Sequence, residues 1–217
     1  SRAAINLQNV DHHSVSRAEV LSCEHGFNAT TSFDGTLVAL KRLSKSIRNR
    51  AKVLVHVGTA QIQGTLVILG QDEIQPGEKG YVQVRLDNPT AILPGEPYVI
   101  RGFEVLAQYG KTLGGGKALL PSPAAHRKKS THAIELLRSL DQKDPAAMLL
   151  GWLKYNGHQG VDKTELSRTI PCGDEALSHA IERLTTENQL VQISNHLHLQ
   201  TVLEAMKART KSIVATF

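Results

Sequence analysis

Three groups of residues in this sequence have the types and spacing to do chemistry. The stretch YGKTLGGGKALLP, Tyr109 to Pro121, sets Gly110-Lys111-Thr112 beside a glycine triplet and Lys117, which suggests a phosphate-binding loop. Such a loop needs a glycine five residues before its Gly-Lys-Ser/Thr unit, so that successive backbone N–H groups curl around the phosphates and lead into a helix. The required position is Val105 for the first lysine and Lys111 for the second, and Ala118 follows the second where Ser or Thr is needed. A dinucleotide loop fails too, because no βαβ unit surrounds Gly114-Gly115-Gly116. The stretch reads instead as a glycine-built turn between two strands.

The second group is histidine. His12-His13 and His196-x-His198 could each offer two metal ligands, but a zinc site takes three or four, and no Cys or acidic residue stands at metal-site spacing from either pair. No metal is expected. Cys23 and Cys172 are far apart, and no Gly-x-Ser-x-Gly elbow occurs, so no catalytic residue is expected either. The third group is basic. KRLSKSIRNRAK, Lys41 to Lys52, holds six Lys and Arg and no acid, and HRKK, His126 to Lys129, forms a second knot. Both suit phosphate, and the formal charge of +5 fits a polyanionic partner. Aromatic residues make up 4% of the chain, too few for a broad base-stacking platform, so contact with a nucleic-acid backbone is the expected mode.

The elements that must position these residues fall in two parts. From Ser1 to about Leu120, short alternating or β-branched runs are cut by turn residues such as Asp34-Gly35, Pro76-Gly77 and Pro94-Gly95, the pattern of a barrel or sandwich. In GYVQVRL, Val82, Val84 and Leu86 share one face, and Gln83 and Arg85 take the other. After LPSPAAHRKKS, a linker, apolar residues recur at helical spacing. Ser130 opens one helix. Asp144-Pro145 opens the next, which ends at Gly157. Asp162 with Glu165 starts a third segment, and GDEALSHAIERLTTEN a fourth. QLVQISNHLHLQ reads as a hairpin turning at Ser194-Asn195, ahead of a last helix. Helices followed by such a hairpin make a winged-helix module. Its third helix carries Asp174, Glu175, Glu182 and Glu187 against the single basic residue Arg183, a poor charge balance for a DNA backbone.

These residues carry a family resemblance. RAAINLQNVDHHSVSRAEVLS, Arg2 to Ser22, resembles the closing strands of the second domain of translational GTPases, with Ala18 where that pattern has glycine. VHVGTAQIQGTLVIL and PGEKGYVQVRLDNPTAILPGEPYVIRGFEVLAQYGKTLGGGKAL resemble the third-domain barrel of the elongation factor Tu superfamily. The appended winged helix makes the chain similar to the bacterial selenocysteine-specific elongation factors. The resemblance implies a multi-domain β + α chain: 1–22, last strands of an incomplete second barrel; 23–120, the elongation factor Tu-like third barrel; 121–130, a linker; 131–200, the winged-helix (helix-turn-helix) domain; 201–217, a helix leading toward a next winged helix.

The family's GTPase domain has no counterpart here, since neither a P-loop nor an Asn-Lys-x-Asp motif occurs. The resemblance therefore implies an internal fragment without enzymatic activity or cofactor, from a cytoplasmic parent using GTP and Mg. Its implied partners are selenocysteinyl-tRNA, the ribosome and, through further C-terminal domains, an mRNA hairpin. No membrane is expected. By resemblance the tRNA-facing positions are Asn88, Tyr109, Gly110, Gln63 and His56; Lys111, Arg48 and Arg50 join them on charge and loop position. The alternative is a winged-helix DNA-binding transcription regulator with a β-barrel for sensing or dimerisation, which would use Arg183 and Lys163.

Overall fold

The computed structural model describes residues 5–15, 18–21, 28–103, 110–126 and 130–214. Eight strands come first: β1 (Thr30–Ala39), β2 (Ile47–Arg48), β3 (Lys52–Val57), β4 (Ala60–Leu69), β5 (Glu73–Ile74), β6 (Lys79–Thr90), β7 (Pro97–Gly102) and β8 (Thr112–Pro121). Six of them close an antiparallel barrel in the order β1-β6-β4-β3-β7-β8, and β2 pairs with β5 across one mouth. Alternation explains the inside. Phe33 and Leu37 of β1, Val53 and Val55 of β3, Leu66 and Ile68 of β4, Val82 and Val84 of β6 and Ile100 of β7 are all buried. Phe33 meets Tyr98 edge-on at 4.9 Å, and the Tyr98 hydroxyl donates to the Thr36 carbonyl at 2.7 Å. Burial pushes that phenol above its ordinary range.

The glycine triplet is not a turn. Gly114, Gly115 and Gly116 lie inside β8, where it passes between the backbones of β1 and β7. A methyl group on Gly116 would stand 1.7 Å from the Thr36 carbonyl oxygen, and one on Gly114 2.3 Å from that of Val38. The barrel closes there because β8 offers no side chain at the crossing.

Residues 5–15 and 18–21 form no strand; they contain one 3₁₀ turn, His12–Ser14, capped by the Asp11 carboxylate, which accepts from the His13 N–H at 2.9 Å. The expected strands over Arg2 to Ser22 are thus absent among the described residues. A strand needs a neighbour to take its N–H and C=O groups, and among the described residues no strand pairs with this segment. Ala18, at the position where the family pattern has glycine, takes φ 82°, a backbone that glycine occupies most easily.

The helical part follows: α1 (Thr131–Leu140), α2 (Pro145–Asn156), β9 (Val161–Asp162), α3 (Leu166–Thr169), α4 (Asp174–Thr186), β10 (Leu190–Ile193), β11 (His196–Leu199) and α5 (Gln200–Val214). Side-chain caps start α1 and α2 as their sequences suggest, with Ser130 accepting from the Ala133 N–H and Asp144 from that of Ala146. Asp162 accepts from Thr164, which holds its carboxyl below the usual range. The wing is the sheet β10-β11-β9, and its turn has Ser194 at φ 55°.

Barrel and winged helix share one core. Val67 and Leu69 of β4 and Leu119 and Leu120 of β8 belong to the same buried cluster as Leu136, Leu137 and Leu140 of α1 and Leu149 and Leu153 of α2. At one margin Lys79 pairs with Asp141, which also accepts from the Tyr81 hydroxyl at 3.2 Å. Burial, then the Asp141 charge and hydrogen bond, push the Tyr81 phenol up to about 12 from 10.0. Because the folded value lies above the unfolded one, this contribution to stability is complete below pH 10 and lost as pH rises through about 12. Tyr81→Phe should flatten the fall in denaturation midpoint over that range. The difference should stay well under the roughly 2.7 kcal/mol of a fully shielded two-unit shift, since the ring is partly exposed. Equal slopes for parent and variant would contradict the assignment.

The linker is a strap on the barrel. Gln83 is buried, contrary to its place on the outward face of β6, because residues 122–126 lie across that face. Its amide donates to Asp34 at 3.1 Å and to the Ala124 carbonyl at 2.9 Å. His126 Nε2 meets Asp34 Oδ2 at 2.6 Å, with side chains 7% and 1% exposed. Arg85 completes the group, donating to Gln83 at 3.0 Å. Burial pushes the Asp34 carboxyl up, and the His126 hydrogen bond and charge, the Gln83 amide and Arg85 pull it back. The first residue of the HRKK knot is therefore a buried latch rather than a surface charge; Arg127 to Lys129 lie outside the described residues.

Candidate nucleic-acid interface

Strand register assembles an outward face on β3, β4, β7 and β8. Val53, Val55 and Val57 point into the barrel, so Leu54 and His56 point out. Leu54 stands between Gln63 and Arg101, and one row along His56 stands between Gln61 and Val99, with Val99 opposite Gly115. Directly paired residues share a face. The row continues to Val38 on β1, and both valines are more than two-fifths exposed, at 42% and 44%. The four strands β3, β4, β7 and β8 themselves carry no Asp or Glu, and Lys52, Arg101 and Lys117 border their apolar centre.

One mouth of the barrel extends this face. Arg101 donates from Nε to the Gly110 carbonyl at 3.0 Å and closes a second bond to the same oxygen, while the Gly110 N–H donates to Gly102 at 3.0 Å. Gly110 has φ 71° and nothing within 4 Å of where a Cβ would stand. Lys111 follows it, exposed. The basic segment Lys41 to Lys52 lies at the same mouth, since Leu40 bonds Leu113 at 2.9 Å and Arg48 stands opposite Glu73. Asn49 anchors this segment: its side-chain oxygen accepts from Ile68 at 2.9 Å and from Arg50 at 3.0 Å, and Arg50 takes φ 62°. Lys52 pairs loosely with Asp87 at 3.8 Å; Lys41, Arg42, Lys45, Arg48 and Arg50 are exposed without an ion-pair partner among the described residues.

The sequence-derived positions are thus only partly brought together. His56 and Gln63 share the outward face. Gly110 and Lys111 adjoin it through Arg101, and Arg48 and Arg50 sit at the same mouth. Asn88 is exposed near the other end of β6, close to where Thr90 pairs with Thr30. Tyr109 lies outside the described residues. Sequence reasoning did not assign Arg101, Asn49 or Gln61 to this surface, and it weighed Lys117 only for a nucleotide loop. The alternation in PYVIRG was the available signal for Arg101, since buried Tyr98 and Ile100 leave it facing out.

The winged helix offers no matching surface on α4. Arg183, its only Lys or Arg, is turned to Asp144 at 3.5 Å and Glu187 at 3.5 Å. Asp174 and Glu175 occupy its first turn. His196 and His198 stack at 6.4 Å, and among the described residues no group of three His, Cys, Asp or Glu converges on a metal-sized site. Among those residues, too, no helix is long and apolar enough to cross a membrane.

No family model matches the chain. Over 165 residues it is 27% identical to the selenocysteine-specific elongation factor of Desulfomicrobium baculatum, an alignment covering 76% of this chain and 25% of that protein. The chain thus spans about a quarter of the length of that relative. Its fold is similar to the crystal structure of a bacterial selenocysteine-specific elongation factor, EF-Sec, with TM-score 0.66 and 17% identity over 96% of this chain and 30% of that one. The resemblance read from the sequence stands, and so does the barrel followed by a helical domain.

Proposed function

We propose that this chain, a relative of the selenocysteine-specific elongation factors, is the tRNA-holding and spacing segment of a longer, GTP-dependent cytoplasmic factor that delivers selenocysteinyl-tRNA to the ribosome. The observation that carries this reading is the acid-free outer face of β3, β4, β7 and β8, bordered by Lys41 to Lys52 and by Lys111. A polyanion that is read by its backbone needs such a surface, with a residue lacking a side chain where it comes closest, as Gly110 does. Gly110, Lys111, His56, Gln63, Arg48 and Arg50 are the contact residues in this reading, with Arg101 holding Gly110 in place. Asn88 would contact the tRNA from outside this patch, and Tyr109 joins the contacts on the resemblance alone. The winged helix serves as a spacer toward an mRNA-hairpin-binding part of the same protein. GTP and Mg belong to another part, since Gly110-Lys111-Thr112 lacks the loop that would hold them.

The test is charge reversal in the full-length factor. Arg48→Glu, Arg50→Glu and Lys111→Glu together should weaken selenocysteinyl-tRNA binding and reduce the slope of log affinity against log salt by about 0.7 to 0.9 for each phosphate no longer neutralised. Unchanged affinity with unchanged slope would rule this surface out. The regulator reading has no comparable support, because α4 presents acid where a DNA backbone would lie.

A further inference from the structure

The sequence has one tryptophan, Trp152 on α2, and it stands in a column of three rings. Trp152 stacks on Tyr155 with centroids 5.7 Å apart and planes 13° apart, and Tyr155 stacks on His132 of α1 at 4.7 Å and 19°. Trp152 and Tyr155 pack on the winged-helix core, and the column ends at an exposed ring, His132. His132 Nε2 lies 3.4 Å from the Tyr155 carbonyl, which fixes the imidazole across the helix pair. Beside it opens a cavity of about 50 Å³, bordered by Glu135, Ser139, Lys154 and Tyr155. Glu135 and Lys154 are both exposed at its edge.

A stack that ends in a solvent-exposed ring is unfinished: another flat π-system can be added to it without disturbing the rings below. Single-stranded polynucleotides supply such a system, since each unpaired base has a face to stack and a phosphate within reach of a neighbouring cation. We propose that His132 is the outer step of a platform for one unpaired nucleobase of single-stranded RNA, with Lys154 meeting a flanking phosphate and the Glu135 carboxylate accepting from the base edge. Sparse aromatic content argues against a broad platform and leaves room for a single step. This site is distinct from the barrel face and does not depend on it.

Trp152 is a built-in reporter. Titrating the full chain with single-stranded RNA of about ten nucleotides should quench its fluorescence saturably, whereas duplex RNA of the same length should not. His132→Ala should weaken the titration about tenfold at unchanged far-ultraviolet circular dichroism, and His132→Phe, which restores a flat ring, should recover it. The barrel variant Arg48→Glu/Arg50→Glu/Lys111→Glu should still quench saturably, at higher RNA concentration because its net charge is lower. The proposal is overturned by absence of saturable quenching, by equal quenching with duplex, by a His132→Ala variant that binds as the parent does, or by failure of His132→Phe to rescue. Loss of quenching in the barrel variant would overturn it too, by placing the single strand on the barrel.

Discussion

Asp34→Ala is expected to destabilise the chain by about 3–5 kcal/mol, because it leaves the His126 imidazole and the Gln83 amide buried without the carboxylate they face. The loss should appear as a lower urea midpoint followed by circular dichroism. His126→Leu should be comparably costly, since it strands Asp34 instead. Removing both partners together, Asp34→Val with His126→Leu, should recover much of the loss, because a matched apolar pair leaves no uncompensated charge. Strict additivity of the two single losses would show that the two side chains contribute nothing as a pair. The single variants should also release the strap, so a protease cutting near residues 122–126 should act faster on them than on the parent.

The largest effect is expected at Gly116. A methyl group there meets Thr36 backbone, with the carbonyl oxygen at 1.7 Å and its carbon at 2.6 Å. Neither atom can retreat without breaking the pairing of β1 with β8. Gly116→Ala should therefore cost more than about 4 kcal/mol, the range reached by overpacking and lost cores, and the barrel should not close. Gly110→Ala is the control. It sits in the same stretch, but with open space around it, so its cost should be about 1–2 kcal/mol for the left-handed backbone alone. Near-ultraviolet circular dichroism and thermal denaturation of the two variants separate these outcomes. Similar losses at both positions would mean that close approach does not govern the triplet.

These two sites also show where sequence reasoning succeeds and fails. Period and punctuation are local, so the strands, the Asp144-Pro145 helix start and the Ser194-Asn195 hairpin were legible. The failure of Gly110-Lys111-Thr112 as a nucleotide loop was legible by counting. What a glycine is for was not, because a turn and a crossing leave the same letters, and only barrel closure brings Thr36 against Gly116. Gln83 reads as an outward polar residue because nothing local announces that residues 122–126 will cover it. Arg2 to Ser22 carries strand-like residues, yet strand formation depends on a neighbour. The candidate interface was half legible: its charges were visible as a run, while Arg101 entered through alternation combined with register. The site split as it did because Asn88 and Lys111 share a barrel but not an end of it.

The core common to both halves has a mechanical meaning. A joint that turns freely needs a seam where two surfaces slide; here the surfaces of β4 and β8 and those of α1 and α2 interlock in one apolar cluster, pinned at its margin by Lys79 and Asp141. Opening that seam would wet Val67, Leu69, Leu119 and Leu120 together, which makes bending costly in either direction. Across this seam the chain is accordingly a strut: a twist applied at α2 arrives at β4 and β8 as rotation of both, with no bearing between them to absorb it.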